Sequence, residues 1–252
     1  MDKTEKAKLI EKYRKAKNKL VLLDYDGTLV NYEMIPDKAR LPEHLGDILI
    51  NLIDKPQTKV FIISGRSHQD IDKLLDHLPI NIIAEHGAMM KENGVWKNQI
   101  IDNGSWKTTI IPILNQITSV CPKSFVEEKN FSLTWHYRNA DALSGYAHSR
   151  ELILILEKII HSYNLKILDG NKVVEILTNE FGKGKAVKKL SEQNNYDFIL
   201  SLGDDATDEE MFEFFLRNSN AFTIKVGNGD TYARYKLASI NDVVSLLKQL
   251  SG

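Results

Sequence analysis

The chain has 252 residues, 42% hydrophobic and 27% charged, which is the profile of a soluble globular protein with room for one large or two modest domains. A formal net charge of −1 gives no global field for nucleic acid or an anionic membrane, and no apolar run approaches the roughly 20 residues of a membrane span. Cys121 is the only cysteine, so an intrachain disulfide is excluded and a reducing, cytoplasmic setting is expected.

The first twenty residues are basic, with no apolar core or small-residue cleavage site, so they do not read as a secretory signal. They read as a solvated amphipathic helix with Leu9, Ile10 and Tyr13 packing inward. Leu20–Leu23 is a buried strand that runs into Asp24-Tyr25-Asp26-Gly27-Thr28. Residues 42–54 have helix spacing, with Leu45, Ile48, Leu49 and Leu52 on one face. Lys59–Ile63 is a second strand, ending at Ser64-Gly65-Arg66, and a helix follows through Ile71, Leu74 and Leu75. Asn81–Ala84 is a third strand, ending at Glu85-His86-Gly87.

The rhythm then changes. Residues 106–120 and 141–162 read as helices, Ser124–Lys129 and Ser132–Tyr137 as paired strands, and Leu165–Leu168 and Val173–Leu177 as a hairpin around Asp169-Gly170-Asn171. A helix begins near Ala186 after Gly182-Lys183-Gly184-Lys185. Asp197–Leu202 is a fourth buried strand, ending at Gly203-Asp204-Asp205, and Ala221–Val226 a fifth. Apolar strands alternating with helices argue an α/β fold with a parallel sheet covered on both faces. The expected division is a core of residues 1–105 and 179–252, with an inserted α+β block at 106–178.

Polar residues follow the carboxyl end of each sheet strand, where ligands bind in such folds. Asp-Gly alone is an ordinary turn. Asp24 and Asp26 after a buried strand, however, are an i, i+2 carboxylate pair expected on one face. Such a pair holds a divalent cation and leaves an oxygen free to attack phosphorus. Asp24 is the candidate nucleophile and Asp26 the candidate acid and base. Crowded carboxylates call for a cation, and Mg²⁺ prefers hard oxygen ligands. Ser64 and Gly65 would let backbone N–H groups approach a phosphoryl oxygen. Lys183 can neutralise both an aspartate and a phosphate. The run Gly203 to Glu210 carries five acids, and its alternative reading is charge at a helix N-terminus.

In this order, Asp-Tyr-Asp-Gly-Thr, Ser-Gly-Arg, Gly-Lys-Gly and Gly-Asp-Asp-x-Thr-Asp resemble the four signatures of the haloacid dehalogenase (HAD) phosphatases. The resemblance implies a Rossmann-like parallel-sheet core with an inserted C2-type cap. It implies Asp24 as nucleophile, Asp26 as acid/base, Ser64 as phosphate ligand within Ser64-Gly65-Arg66, and Lys183 as the stabilising base. It also implies Asp24, Asp26 and Asp204 around Mg²⁺, with Asp205 and Asp208 accessory.

A narrower resemblance is to the trehalose-6-phosphate phosphatase family, through Gly203–Phe212, Glu85-His86-Gly87, Glu127-x-Lys129 and His136-Tyr137-Arg138. It spans roughly residues 18–248 and implies that Glu85 and His86 touch substrate, and that Glu127, Lys129, Arg138 and Glu175 read sugar hydroxyls. Two departures bear on the sugar. Val174-Glu175-Ile176-Leu177-Thr178 lacks an expected Arg-Pro, and Gly182 stands where a polar residue is expected. The expected activity is Mg²⁺-dependent hydrolysis of trehalose 6-phosphate. The alternatives are sucrose-phosphate, mannosyl-phosphoglycerate or a hexose phosphate as substrate, or a non-catalytic regulatory homologue. A trehalose-phosphate synthase is the candidate protein partner; no nucleic acid or membrane partner is expected.

Overall fold

The computed structural model describes residues 1–33, 35–75, 77–101 and 104–252. It forms two compact units: Met1–Gln99 with Gly182–Gly252, and Ile100–Phe181.

The strands of the larger unit are β1 (Lys19–Asp24), β2 (Thr58–Ile63), β3 (Asn81–Ala84), β4 (Met89–Glu92), β5 (Val95–Asn98), β10 (Phe198–Gly203), β11 (Ala221–Val226) and β12 (Tyr235–Leu237). Strands β6–β9 belong to the inserted unit. The larger unit's sheet runs β12-β11-β10-β1-β2-β3-β4-β5. It is parallel from β12 to β3 and antiparallel beyond. This unit also carries α1 (Lys3–Lys15), α2 (Glu43–Ile53), α3 (His68–Leu75), α6 (Lys183–Gln193), α7 (Glu209–Phe214) and α8 (Ile240–Ser251).

Strand alternation fixes what each face meets. Leu20 and Leu22 of β1 pack in one core with Val187 and Leu190 of α6 and Met211 and Phe212 of α7. Val21 and Leu23 point the other way and are equally buried. Asp24 shares parity with Leu20 and Leu22, so the strand delivers its carboxylate to the α6 side. Helix α1 is capped by Asp2, whose side chain accepts from Glu5 N while Glu5 returns a bond to Asp2 N. Leu9 and Tyr13 are its buried residues, whereas Ile10 is only partly covered.

The β4–β5 hairpin was not expected. Its turn is Asn93-Gly94, with φ of 51° and 79°, the dipeptide that most strongly favours a two-residue hairpin.

In the inserted unit, α4 (Lys107–Val120) and α5 (Ala142–Glu157) accompany an antiparallel sheet. Its strands are β6 (Phe125–Glu128), β7 (Ser132–His136), β8 (Leu165–Gly170) and β9 (Val173–Thr178), in the order β6-β7-β9-β8. Helix α5 ends at Glu157, and residues Ile160–Tyr163 form a separate 3-10 turn, so the expected helix over 141–162 is broken near its end. Leu133, Trp135, Val174 and Ile176 pack with Ile110, Leu114, Leu152 and Leu156 of the two helices. The opposite parity, Glu127, Ser132, Thr134, His136 and Glu175, makes the other face polar. No helix among the described residues is long and apolar enough to cross a membrane.

Candidate active site

The ends of β1 and β10 and the start of α6 bring one lysine and three carboxylates together. Lys183 Nζ donates to Asp24 Oδ1 and to Asp208 Oδ1, at 2.7 Å each. Lys183 is only 2% exposed, so it is a buried cation held between two buried carboxyl groups. Lys183 is held well above the ordinary lysine range: burial opposes its charge, but Asp208 and Asp24 outweigh burial.

The run after β10 is organised around itself. Asp208 Oδ2 accepts from the backbone N–H of Asp204 (2.9 Å) and Asp205 (3.1 Å). Asp205 Oδ1 accepts from Thr207 N (2.8 Å), Thr207 Oγ1 (2.7 Å) and Asp208 N (3.2 Å). Burial raises the Asp205 carboxyl, yet the Lys183 charge and the Thr207 hydrogen bonds prevail and hold it at about 2. Asp204 accepts from Thr28 Oγ1 (3.3 Å) and Tyr32 OH (3.0 Å). Lys225 Nζ donates to the Asp204 carbonyl (3.0 Å) and to Glu209 (3.1 Å), fixing this loop from below. Gly27 has φ of +86°, and a Cβ there would overlap the Asp204 carboxylate, so glycine serves both the turn and the close approach.

Oxygens of Asp24, Asp204 and Asp208 lie within 4.8 Å of one another, a grouping able to hold a cation. Asp24 Oδ2 is buried with no hydrogen-bond partner among the described residues. Burial, together with the charges of Asp205 and Asp204, pushes Asp24 up to about 8 despite Lys183. Burial and the charges of Asp208 and Asp205 push Asp204 up to about 7. An oxygen-only set with an unpartnered buried carboxylate oxygen fits a hard divalent cation. Since both Asp208 oxygens already accept from Lys183 and the backbone, Asp24 Oδ2 and the Asp204 carboxylate are the oxygens best suited to hold it.

Asp26 is not in this grouping. Both its oxygens accept from the Arg66 fork, Nε and one terminal nitrogen, at 2.6 Å each. The i, i+2 rule does not extend to Asp26, because β1 ends at Asp24. Beyond it the chain turns, with Gly27 N bonded to Val30 O at 2.7 Å. The metal set expected from sequence, Asp24, Asp26 and Asp204, therefore differs from the carboxylates that converge, in which Asp208 replaces Asp26.

Ser64 is buried after β2 and its Oγ accepts from Arg66 N at 3.1 Å. Glu85, His86 and Gly87 all have positive φ, at 49°, 55° and 112°. Glu85 N and His86 N donate to Arg66 O and Ser64 O, tying this turn to the Ser64–Arg66 loop. The Glu85 carboxylate meets His68 Nδ1 at 3.1 Å. The His86 ring lies against Gly65, where any Cβ would overlap it. Backbone strain of this kind clusters at ligand sites.

The inserted unit's candidates gather on the polar face of its sheet. Glu175 Oε1 accepts from Lys129 Nζ (2.9 Å) and Ser132 Oγ (2.6 Å). Glu127 Oε2 pairs with His136 Nε2 at 2.7 Å. Burial raises Glu127, but that bond and the Lys129 charge bring it below the ordinary glutamate range. Arg138 stands beyond β7 and donates to Asn171 O at 2.7 Å. Sequence reasoning missed Thr28 and Tyr32, which bond Asp204, and Ser132 and His136, which bond Glu175 and Glu127. The alternation Ser132-x-Thr134-x-His136 in a strand carried a signal; nothing in the sequence pointed to Tyr32.

The family model for trehalose-phosphatase matches residues 22–241. The chain is 39% identical over 251 residues to the bifunctional trehalose-6-phosphate synthase/phosphatase of Thermoproteus tenax, covering 99% of this chain and 34% of that protein. It is 38% identical over 248 residues to alpha,alpha-trehalose-phosphate synthase [UDP-forming] B of Dictyostelium discoideum, covering 96% and 31%. The chain thus spans about a third of the length of these relatives. The trehalose-6-phosphate phosphatase C-terminal domain of C. albicans superposes with a TM-score of 0.91 at 28% identity, covering 98% of this chain and 96% of that one. The chain belongs to the trehalose-phosphatase family.

Proposed function

We propose that the chain hydrolyses trehalose 6-phosphate to trehalose and phosphate through an aspartyl-phosphate. The reading is carried by Asp24, a buried carboxylate tethered to Lys183 at 2.7 Å with its second oxygen unpartnered among the described residues, in a chain of this family. An Asp24 oxygen attacks phosphorus as the bond from phosphorus to the sugar oxygen breaks. Asp26 gives its proton to the leaving sugar oxygen, then takes one from water. That water attacks phosphorus, the acyl-phosphate bond breaks, and Asp24 is regenerated. Lys183 offsets the charge on Asp24 and the phosphoryl group throughout. Ser64, with the backbone about Gly65, holds a phosphoryl oxygen. The Arg66 fork now occupies Asp26, so the acid role requires that pair to open; Arg66 is then left to meet the phosphate.

Mg²⁺ held by Asp24 and Asp204 would supply electrostatic stabilisation of the phosphoryl oxygens. Asp205 and Asp208 support Lys183 and the loop. EDTA should silence phosphate release and added Mg²⁺ should restore it. Undiminished activity in a metal-stripped sample would refute the metal's role. The reading as a whole rests on a panel assay of phosphate release from trehalose 6-phosphate, sucrose-phosphate, mannosyl-phosphoglycerate and hexose phosphates. A clear preference for any of the last three overturns the assignment of trehalose 6-phosphate. A trehalose-phosphate synthase remains the candidate partner, supported by the T. tenax relative whose name joins both activities.

Glu127, Lys129, Arg138 and Glu175 are assigned to the sugar, with Glu85 and His86 at the phosphate-side loop. Lys129→Ala or Glu175→Ala should cut kcat/KM for trehalose 6-phosphate by about 10- to 100-fold, the ~1.5–3 kcal/mol of a hydrogen bond to a charged group. An aryl phosphate without a sugar should lose little. Equal losses on both substrates would assign these residues to stability or general catalysis instead.

A further inference from the structure

Three strands of the inserted sheet place Glu127, Thr134 and Glu175 in one cross-strand row, since Glu127 pairs with Thr134 and Thr134 with Glu175. Directly opposed residues share a face, with Cβ atoms roughly 4.5–5.5 Å apart. The two outer members of the row are committed: Glu127 to His136, and Glu175 to Lys129 and Ser132. The middle one is not. Thr134 is 2% exposed, and its Oγ1 has no hydrogen-bond partner among the described residues. Neighbours of opposite parity, Leu133 and Trp135, lie in the apolar core, so the Thr134 side chain stands on the polar face with the two glutamates.

A buried hydroxyl without a partner is a standing cost unless something completes it. A valine would fill the same volume without that cost, so the hydroxyl is not required by packing. A threonine hydroxyl both donates and accepts, as a sugar hydroxyl does, whereas an ionised glutamate only accepts and a lysine only donates. A residue of that kind between two carboxylates can bond a hydroxyl whose own hydrogen goes to Glu127 or Glu175.

We infer that Thr134 Oγ1 is a sugar-contacting group, completing with Glu127 and Glu175 a row that reads neighbouring hydroxyls of the substrate's sugar. This rests on the sugar-phosphate reading above and adds a specificity residue to it.

Thr134→Val tests the inference, with the wild type assayed beside it on trehalose 6-phosphate and on an aryl phosphate. The expected result is a three- to tenfold loss of kcat/KM on the sugar phosphate, roughly one neutral hydrogen bond. It is borne mainly by KM, with the aryl phosphate unchanged and the melting temperature equal or higher. Thr134→Ser, which restores the hydroxyl, should recover most of the loss. Unchanged kinetics on trehalose 6-phosphate overturn the inference while leaving the functional reading intact. A lower melting temperature with equal losses on both substrates also overturns it, since the hydroxyl would then be structural. A wild type that cleaves the aryl phosphate but no sugar phosphate overturns the functional reading itself, and this inference with it.

Discussion

Asp24→Asn should lower kcat by at least about a thousandfold, ~4 kcal/mol of barrier, while the protein stays folded. The amide has the shape of the carboxylate but cannot form an acyl phosphate. Stability should hold because the substitution removes a charge that burial and neighbouring carboxylates already disfavour, with Asp24 pushed up to about 8. Lys183 keeps Asp208 as its partner at 2.7 Å. Phosphate release under saturating substrate, read beside far-ultraviolet circular dichroism, checks both halves. A variant that retained more than about a tenth of wild-type kcat would remove Asp24 as nucleophile. A variant that lost activity together with its secondary structure would show only that the site needs the carboxylate to fold.

The reason Asp24 could be placed at the end of a buried strand from sequence is physical. A continuous apolar run names a buried parallel strand, and the polar residues just past its end mark the ligand crevice. The same logic located Ser64, Glu85 and Asp204 at the ends of β2, β3 and β10. Lys183 was legible only through its motif, because its partners are 159 and 25 residues away in sequence. Side-chain direction past a strand end was not legible. Asp26 lies past the last residue of β1 and pairs with Arg66, and the i, i+2 rule applies only while the strand lasts. Asp208 entered the carboxylate grouping because its loop folds back through two backbone N–H bonds, a contact no periodicity encodes. The β4–β5 hairpin was legible in principle from Asn93-Gly94. Strand β12 is three residues long, too short to carry a pattern.

Lys183→Met should cost both turnover and stability, because one ammonium serves two buried carboxylates. Its Nζ bonds Asp24 Oδ1 and Asp208 Oδ1, and all three side chains are nearly inaccessible to water. Removing one member of a buried ion pair leaves an uncompensated charge, a loss of about 3–5 kcal/mol. Here two carboxyl groups lose their shared cation, but burial already pushes both upward, so uptake of a proton limits the loss to the lower part of that range in urea denaturation. Turnover should fall by at least about a thousandfold, since the charge that offsets Asp24 and the phosphoryl group is gone, ~4 kcal/mol of barrier. Lys183→Arg should not rescue either property. The guanidinium is larger and planar, and the site around this lysine is closed, with the residue 2% exposed. The second half of the test is a double-mutant cycle with Asp208→Asn. The amide oxygen can still accept from the backbone N–H groups of Asp204 and Asp205, while its side chain no longer needs a cation. If Lys183 acts mainly by neutralising Asp208, the double variant should recover at least about 1 kcal/mol relative to the sum of the single losses, as contacting residues do. Turnover should stay low, because Asp24 would still lack its partner. Strictly additive stability losses, or a Lys183→Met enzyme within tenfold of wild-type kcat, would show that this lysine is a packing residue and that the charge at Asp24 is offset by something else.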